Sequence, residues 1–248
     1  MTLSPELIQA FAPKGVLRAS INLGNPILAG RDPDTGKAYG VSVDLAHELA
    51  HRLQLPLELV VWDSAGKSVE AVENQLADFG FFAIDPKRGQ DINFTDAYIH
   101  IEGAYLVKQD SPLQDNADVD DAKHRITVGK GSAYDLYLSR NIKQATLERA
   151  PTSPAVVSYF LEHGHDVAAG VKQQLQADAK RFGGLRLLPG RFMIIQQAMG
   201  IHKQRGLAAS EYLRHFVEEM KSSGFVADAL LRHSIEGASV APLTSMSD

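Results

Sequence analysis

Ala77 to Tyr98 reads ADFGFFAIDPKRGQDINFTDAY. Phe79-Gly80-Phe81-Phe82-Ala83-Ile84 is a short unbroken apolar run, the pattern of a strand buried on both faces. Asp85-Pro86 ends it, because proline fixes its own φ and pushes its predecessor out of the helical region. Arg88 then stands at the carboxyl end of the strand, where open α/β sheets hold their ligands. Phe94-Thr95-Asp96-Ala97-Tyr98 leads on to a second apolar run, Ala104-Tyr105-Leu106-Val107.

Upstream, Val16 to Ile21 reads as a strand and Asn22-Leu23-Gly24-Asn25-Pro26 as the loop at its end. Gly30 to Gly40 is turn-rich, a surface excursion. Val41 to Leu53 is the clearest helix, with Leu45, Ala46, Leu49, Ala50 and Leu53 at helical spacing and Pro56 just beyond. Leu57 to Trp62 is a strand, and Val69, Val72 and Leu76 mark a second helix before Phe79. The order βαβαβ argues for a parallel sheet with crossover helices.

Downstream, Lys108 to Asp121 is polar and acidic and reads as a linker. A second βα series follows it. Arg125 to Val128 is a strand, Gly129-Lys130-Gly131 a turn and Ser132 to Leu138 a helix. Ser132 with Asp135 is a capping-box pattern whose helix start presents backbone N–H groups. Ser153-Pro154 opens a helix that Gly164 ends. Asp166 to Gly170 and Leu185 to Leu188 read as strands, and Phe192 to Ile195 as a return to the first series. Tyr212, Leu213, Phe216, Val217 and Met220 share one helical face, and a short helix closes the chain after Gly224.

The 248 residues suffice for one large domain or two ordinary lobes. With 44% apolar and 22% charged residues the composition is that of a globular protein, and the formal charge of −5 favours neither nucleic acid nor acidic lipid as a partner. The absence of cysteine excludes disulfides, thiolate metal ligands and a cysteine nucleophile. No apolar run approaches the roughly 20 residues of a spanning helix, so the chain is not expected to be membrane-inserted. The N-terminus lacks a basic region followed by an apolar core. On that reading the chain is cytoplasmic as written, or a start methionine has replaced a cleaved signal.

The buried strand, the turn with Arg88 and the segment Phe94-Thr95-Asp96-Ala97-Tyr98 together resemble the bilobed solute-binding proteins of amino-acid uptake transporters, the family-3 extracellular binding proteins. Members carry a T-x-x-x-R turn and an F-S-x-P-Y segment in the first lobe; here the arginine and a version of the second motif are present, and the threonine is replaced. Gly40 to Leu53, GVSVDLAHELAHRL, is similar to the family's G-x-x-V-D-L-A helix. The resemblance implies an α/β fold of two βα lobes, type II periplasmic-binding-protein-like, joined by two hinge strands. It implies a first lobe of 1–107 plus 195–248 and an inserted second lobe of 108–194, whereas periodicity alone shows two βα series with a polar stretch between them. It also implies a periplasmic location.

In that family the arginine grips a ligand carboxylate. A guanidinium matches a carboxylate with two parallel hydrogen bonds, which lysine cannot copy. Arg88 is therefore the leading ligand contact, against the alternative of a surface arginine paired with Asp85 or Asp91. Phe82 and Ala83 before it, the loop residues Asn22 and Asn25, Lys67 at a helix start, Ser132 and Ala133 at another, and Gly170 at a strand end complete the candidate set. The family's small hydroxyl residues before the arginine, and its acid at the end of a second-lobe strand, are replaced here by Phe81-Phe82-Ala83 and Ala169-Gly170-Val171. A buried ammonium without an acceptor costs several kcal/mol, so the expected partner is a small anionic ligand, a carboxylate without a well-recognised α-amine.

Other motifs have simpler explanations. His47-Glu48-Leu49-Ala50-His51 spells a zinc-protease H-E-x-x-H. On a helical wheel its apolar positions centre roughly 130–170° from the two histidines, which places them on the solvent face. Ala65-Gly66-Lys67-Ser68 has the tail of a phosphate loop, with Val61 where the first glycine should stand; Lys67 is then a surface lysine or an anion contact. His163-Gly164-His165-Asp166 reads as a loop after a helix. No metal and no cofactor is expected. The leading function is non-catalytic binding of a small carboxylate or amino-acid-like solute in the cleft between two lobes, trapped by hinge closure, for an ABC-type transporter. A dehydratase- or lyase-like enzyme on the same fold and a cytoplasmic sensor are the alternatives. Glu102, Asp135 and Asp166 are acids near the expected cleft edges, each with an ordinary surface or capping role open to it.

Overall fold

A computed structural model of the chain describes residues 3–244. The chain opens with α1 (Pro5–Phe11), β1 (Leu17–Asn22), a small hairpin of β2 (Gly30–Arg31) and β3 (Ala38–Tyr39), and α2 (Val41–Leu53). Then come β4 (Leu57–Trp62), α3 (Ala65–Glu73), β5 (Phe79–Ala83), a 3-10 turn at Arg88–Gln90 and the long strand β6 (Ile92–Lys108). The next series is β7 (Arg125–Gly129), α4 (Ala133–Asn141), β8 (Thr146–Ala150), α5 (Val156–His163), β9 (Val167–Val171), α6 (Lys172–Phe182) and β10 (Leu185–Leu187). The chain closes with β11 (Met193–His202), α7 (Leu207–Ser222), α8 (Phe225–Arg232) and β12 (Ala238–Val240). Among the described residues no helix is long and apolar enough to cross a membrane.

Contacts divide the chain into two compact units, Met1–His100 with Gln196–Asp248, and Ile101–Ile195. The chain leaves the first unit within β6 and returns within β11. In the first unit β1 lies between β4 and β5, all parallel, and β11 pairs antiparallel with β5. All six residues of β1 are buried, as the centre of such a sheet requires. The inner face of α3 brings Val69 and Val72 onto Ala77, Phe82 and Ile92. Thr95 of the FTDAY segment accepts the Met199 N–H (3.0 Å), and Tyr98 is wholly buried.

In the second unit β7 runs parallel to β8 and to β9, while β6 is antiparallel to β9 and to β10. Phe160, Val156 and Val157 of α5 pack on Ala104, Leu106, Ala150 and Ala168. Residues 101–107, expected with the first lobe, belong by their contacts to the second unit. The cause is register: Gly103 to Leu106 pair with Val171 to Ala168.

Two expectations of the sequence need correction, and two elements had no reading at all. Leu76 lies beyond α3 and is exposed, because the helix ends at Asn74 and Gln75 turns left-handed with φ 55°. The acidic stretch after Lys108 is folded into the second unit and is not a tether: Arg186 Nη2 donates to the Ser111 and Leu113 carbonyls (2.8 and 2.7 Å), and Asp120 accepts the N–H groups of Lys143, Gln144 and Ala145. Finally, β8 and α6 carry too little apolar periodicity to be read from the sequence. Only Ala150 of β8 and Leu175 and Asp178 of α6 are buried.

Candidate functional site

In the first unit the candidates gather at the carboxyl ends of the parallel strands. Asn22 ends β1 opposite Trp62 of β4. Its Oδ1 accepts the Gly24 N–H (2.7 Å), and Asn25 Oδ1 accepts the Ile27 N–H (3.1 Å), so both side chains brace their own loop. Lys67 is in the first turn of α3, where the Ser64 hydroxyl caps the helix. Its ammonium pairs with Asp63 (2.9 Å) and both are exposed, which is the surface reading.

Arg88 follows the turn that Asp85 organises by accepting the Lys87 N–H (2.8 Å). It is buried, 4% exposed, and its Nη1 donates to the carbonyl of Ala83 (3.1 Å). Burial lowers its pKa to about 10, with Asp85 and then Glu73 opposing, so it remains a cation at neutral pH. The same region pushes the Glu73 carboxyl up, chiefly by burial and then by Asp91 and Glu70. Ala83 is buried. Phe82 lies in the packing beneath α3, and Phe81 meets Phe79 and Tyr98 edge-on at 5.7 and 6.3 Å. Trp62, which sequence reasoning treated only as a strand residue, leaves its Nε1 buried without an acceptor among the described residues.

In the second unit Ser132 caps α4 by accepting the Asp135 N–H (3.1 Å) and is buried, with Ala133 half-buried beside it. Asp135 turns back on the same turn. Its carboxylate accepts the Gly131 N–H (2.8 Å), takes the Ser139 hydroxyl (3.1 Å) and pairs with Arg149 (3.0 Å). Gly129 ends β7 where a Cβ would fall 2.7 Å from the Ser153 hydroxyl and 2.8 Å from the Tyr134 hydroxyl, so the position excludes any side chain. Those two hydroxyls bond each other at 2.8 Å, and burial pushes the Tyr134 phenol up to about 12.

Gly170 lies in β9 opposite Ala104, with Leu175 beneath it. Val171 ends the strand and Lys172 begins α6. Glu102 is held between Lys172 and Arg191, each at 3.0 Å, and their hydrogen bonds, Lys172 first, keep its carboxyl below the usual range. Asp166 accepts the Arg125 N–H (2.8 Å). Sequence reasoning named Glu102 but missed its two cations, which lie 70 and 89 positions away and meet it only through the fold. His47 and His51 are on the exposed face of α2, as the wheel requires. His163 and His165 stack near Tyr159, and His165 Nδ1 bonds the Thr127 hydroxyl at 2.7 Å.

The sheets and crossovers define the class as the bilobed α/β fold of type II periplasmic-binding proteins, and solved structures share it. One is a putative binding component of an ABC transporter from Wolinella succinogenes complexed with lysine, at 22% identity and TM-score 0.76, covering 90% of this chain and 97% of its own. The solute receptor for L-cysteine of Neisseria gonorrhoeae aligns at 21% identity and TM-score 0.77, with 91% and 92% covered. An ancestral amino acid-binding protein, a precursor of cyclohexadienyl dehydratase, aligns at 16% and TM-score 0.74, with 91% and 98% covered. At these identities the likeness is one of fold. Comparison with curated protein sequences gives no match. Residues 24–233 match the bacterial extracellular solute-binding proteins, family 3, and the chain belongs to that family.

Proposed function

We propose that this protein is the solute-binding component of an ABC-type uptake system and that its solute is a small carboxylate lacking a recognised α-amine. The observation that carries the reading is the disposition of charge. Arg88 is a buried guanidinium just beyond the carboxyl end of β5, bonded there to the Ala83 carbonyl. In the second unit Glu102, Asp135 and Asp166 are each already engaged by a cation or a backbone N–H. An ammonium would have to displace one of those partners, and an unpaired buried ammonium costs several kcal/mol. Arg88 is the anchor for a carboxylate in the first unit; in the second unit the Ser132 N–H is already bonded to the Gly129 carbonyl (3.0 Å), which leaves the Ala133 N–H, at the positive end of α4, as the donor there. The relatives complexed with lysine or receiving L-cysteine bind solutes that carry an α-amine, so this chain differs from them in what it discriminates.

The test is calorimetric titration of matched pairs, butyrate against L-2-aminobutyrate, on the wild type, Arg88→Lys and Arg88→Ala. Losing one partner of a charge-assisted pair costs about 2–5 kcal/mol, tens- to thousands-fold in affinity. Lysine lacks the planar fork, so Arg88→Lys should bind nearly as poorly as Arg88→Ala. Tighter binding of the amino acid than of its deamino analogue, or wild-type affinity in both variants, overturns the reading.

A further inference from the structure

We propose that His163 and His165 form a chelating site for a divalent transition-metal ion, with Cu2+ foremost. The two imidazoles meet where α5 ends and β9 is about to begin, and Gly164 turns the chain between them in the left-handed conformation, φ 64°. This is the amino end of the parallel strands β7 and β9, whereas the turn to Ser132 leaves from their carboxyl end. The site lies wholly in the second unit and does not depend on the solute reading. Tyr159 covers one face of His163, with centroids 3.9 Å apart. His165 stands 5.5 Å from His163 and 5.8 Å from Tyr159. A triangle with those sides puts His165 beside the His163 ring and not over its face, and the two imidazole planes differ by 28°.

Each ring is held through one nitrogen. His163 Nδ1 donates to the Tyr159 carbonyl (2.9 Å), which fixes the neutral tautomer and leaves a lone pair on Nε2. His165 Nδ1 bonds the Thr127 hydroxyl (2.7 Å), which can accept from it, and both residues are buried. Neither Nε2 has a hydrogen-bond partner among the described residues. An imidazole oriented through one nitrogen and open at the other is the arrangement of metal-binding histidines. Two imidazoles on one cation, with bonds of about 2.0–2.1 Å, hold their centroids roughly 4.5–5.2 Å apart. The pair is close to that spacing, and His163, which is exposed, is the ring that can adjust. The charged side chains acting on His165 are Glu148, Arg125 and Asp166, two acids against one base, so a cation is favoured there. Among the described residues no third side chain completes a metal site, so water takes the remaining positions. Ligation by imidazole nitrogen and water on a tetragonal frame suits Cu2+, which also heads the affinity order of first-row divalent ions.

The experiment titrates the full chain with Cu2+ in a non-coordinating buffer, by calorimetry and by pulsed electron paramagnetic resonance, for the wild type, His163→Ala, His165→Asn and His51→Ala. The tightest Cu2+ of the wild type should carry the signature of two imidazole nitrogens. His163→Ala and His165→Asn should each weaken it by at least about ten-fold and remove one of the two nitrogens from the signature. His163 is exposed, so its variant tests the pair even where His165→Asn is destabilised. His51→Ala breaks up the other histidine pair, His47 and His51 on the exposed face of α2, and should leave the tightest site unchanged. No Cu2+ bound by the wild type, wild-type affinity in His163→Ala, or a loss seen in His51→Ala alone overturns the inference.

Discussion

Replacing Asp78 by asparagine removes the charge at the centre of a buried ion triad in the first unit. Asp78 is 1% exposed, and its neighbours Arg18 and Arg205 are 7% and 9% exposed. One carboxylate oxygen accepts the Arg18 backbone N–H (2.8 Å) and its Nε (3.1 Å); the other accepts Arg18 Nη2 (2.8 Å) and Arg205 Nη2 (3.0 Å). The bond to Asp78 is the main reason that the Arg18 pKa is raised, against the opposing effect of burial. Without the charge, Arg18 keeps the Leu76 and Gln75 carbonyls and Arg205 keeps that of Ala10. Two guanidinium charges then stay buried, and Arg205 Nε is already without an acceptor among the described residues. An asparagine amide also turns donors toward donors. Breaking a buried pair in this way costs about 3–5 kcal/mol. For a protein of this size each kcal/mol shifts Tm by about 2–4 °C, so a fall of about 6–20 °C is expected. Calorimetry at pH 7 reads it, with Asp63→Asn, which breaks only the exposed pair with Lys67, as the control that should not move. A fall below about 2 °C for Asp78→Asn would refute the argument.

Two further outcomes follow from packing and titration. Gly80→Ala sets a Cβ into the ring of Phe82, which is wedged among Val69, Val72 and Ile92; a loss of about 1–3 kcal/mol in urea unfolding is expected, and a loss under about 0.5 kcal/mol would show that the ring can move aside. His165 is buried, and burial is the chief reason that its pKa lies below 6.5. The unfolded chain therefore takes up this proton more readily, so the stability that His165 contributes is present above pH 6.5 and is lost as pH falls through its lowered folded value. Tm should decline less between pH 7 and 5 in His165→Asn than in the wild type, and parallel curves for the two proteins would count against the assignment.

The fold of the first unit was legible because its signals are local. FGFFA is apolar at every position and can only be a fully buried strand, α2 shows its buried stripe at helical spacing, and Asp85-Pro86 marks the turn that delivers Arg88. Ser132 announced its own cap, and Gly164 ends α5 in the left-handed conformation with φ 64°. In the second unit the local signal weakens. An edge strand such as TLERA and a helix such as KQQLQADAKRF bury so little that periodicity cannot reveal them. The acidic stretch read as a linker because each aspartate looked solvated, and only the fold supplies the Lys143, Gln144 and Ala145 N–H groups that Asp120 accepts.

The same division separates what was known of the site. The sequence alone determined that a guanidinium stands at a strand end, that a capped helix starts after β7, and that no acid ends β9. These are statements about residue type and local geometry, which neighbours in the chain decide. Whether an acid is available to an ammonium depends on its partners, and those lie far away in sequence. Glu102 is claimed by Lys172 and Arg191, Asp78 by Arg18 and Arg205, and Asp135 by Arg149. Charge pairing acts through space over a few ångströms with no periodicity along the chain to betray it, so only the tertiary structure could decide which acids are already paired.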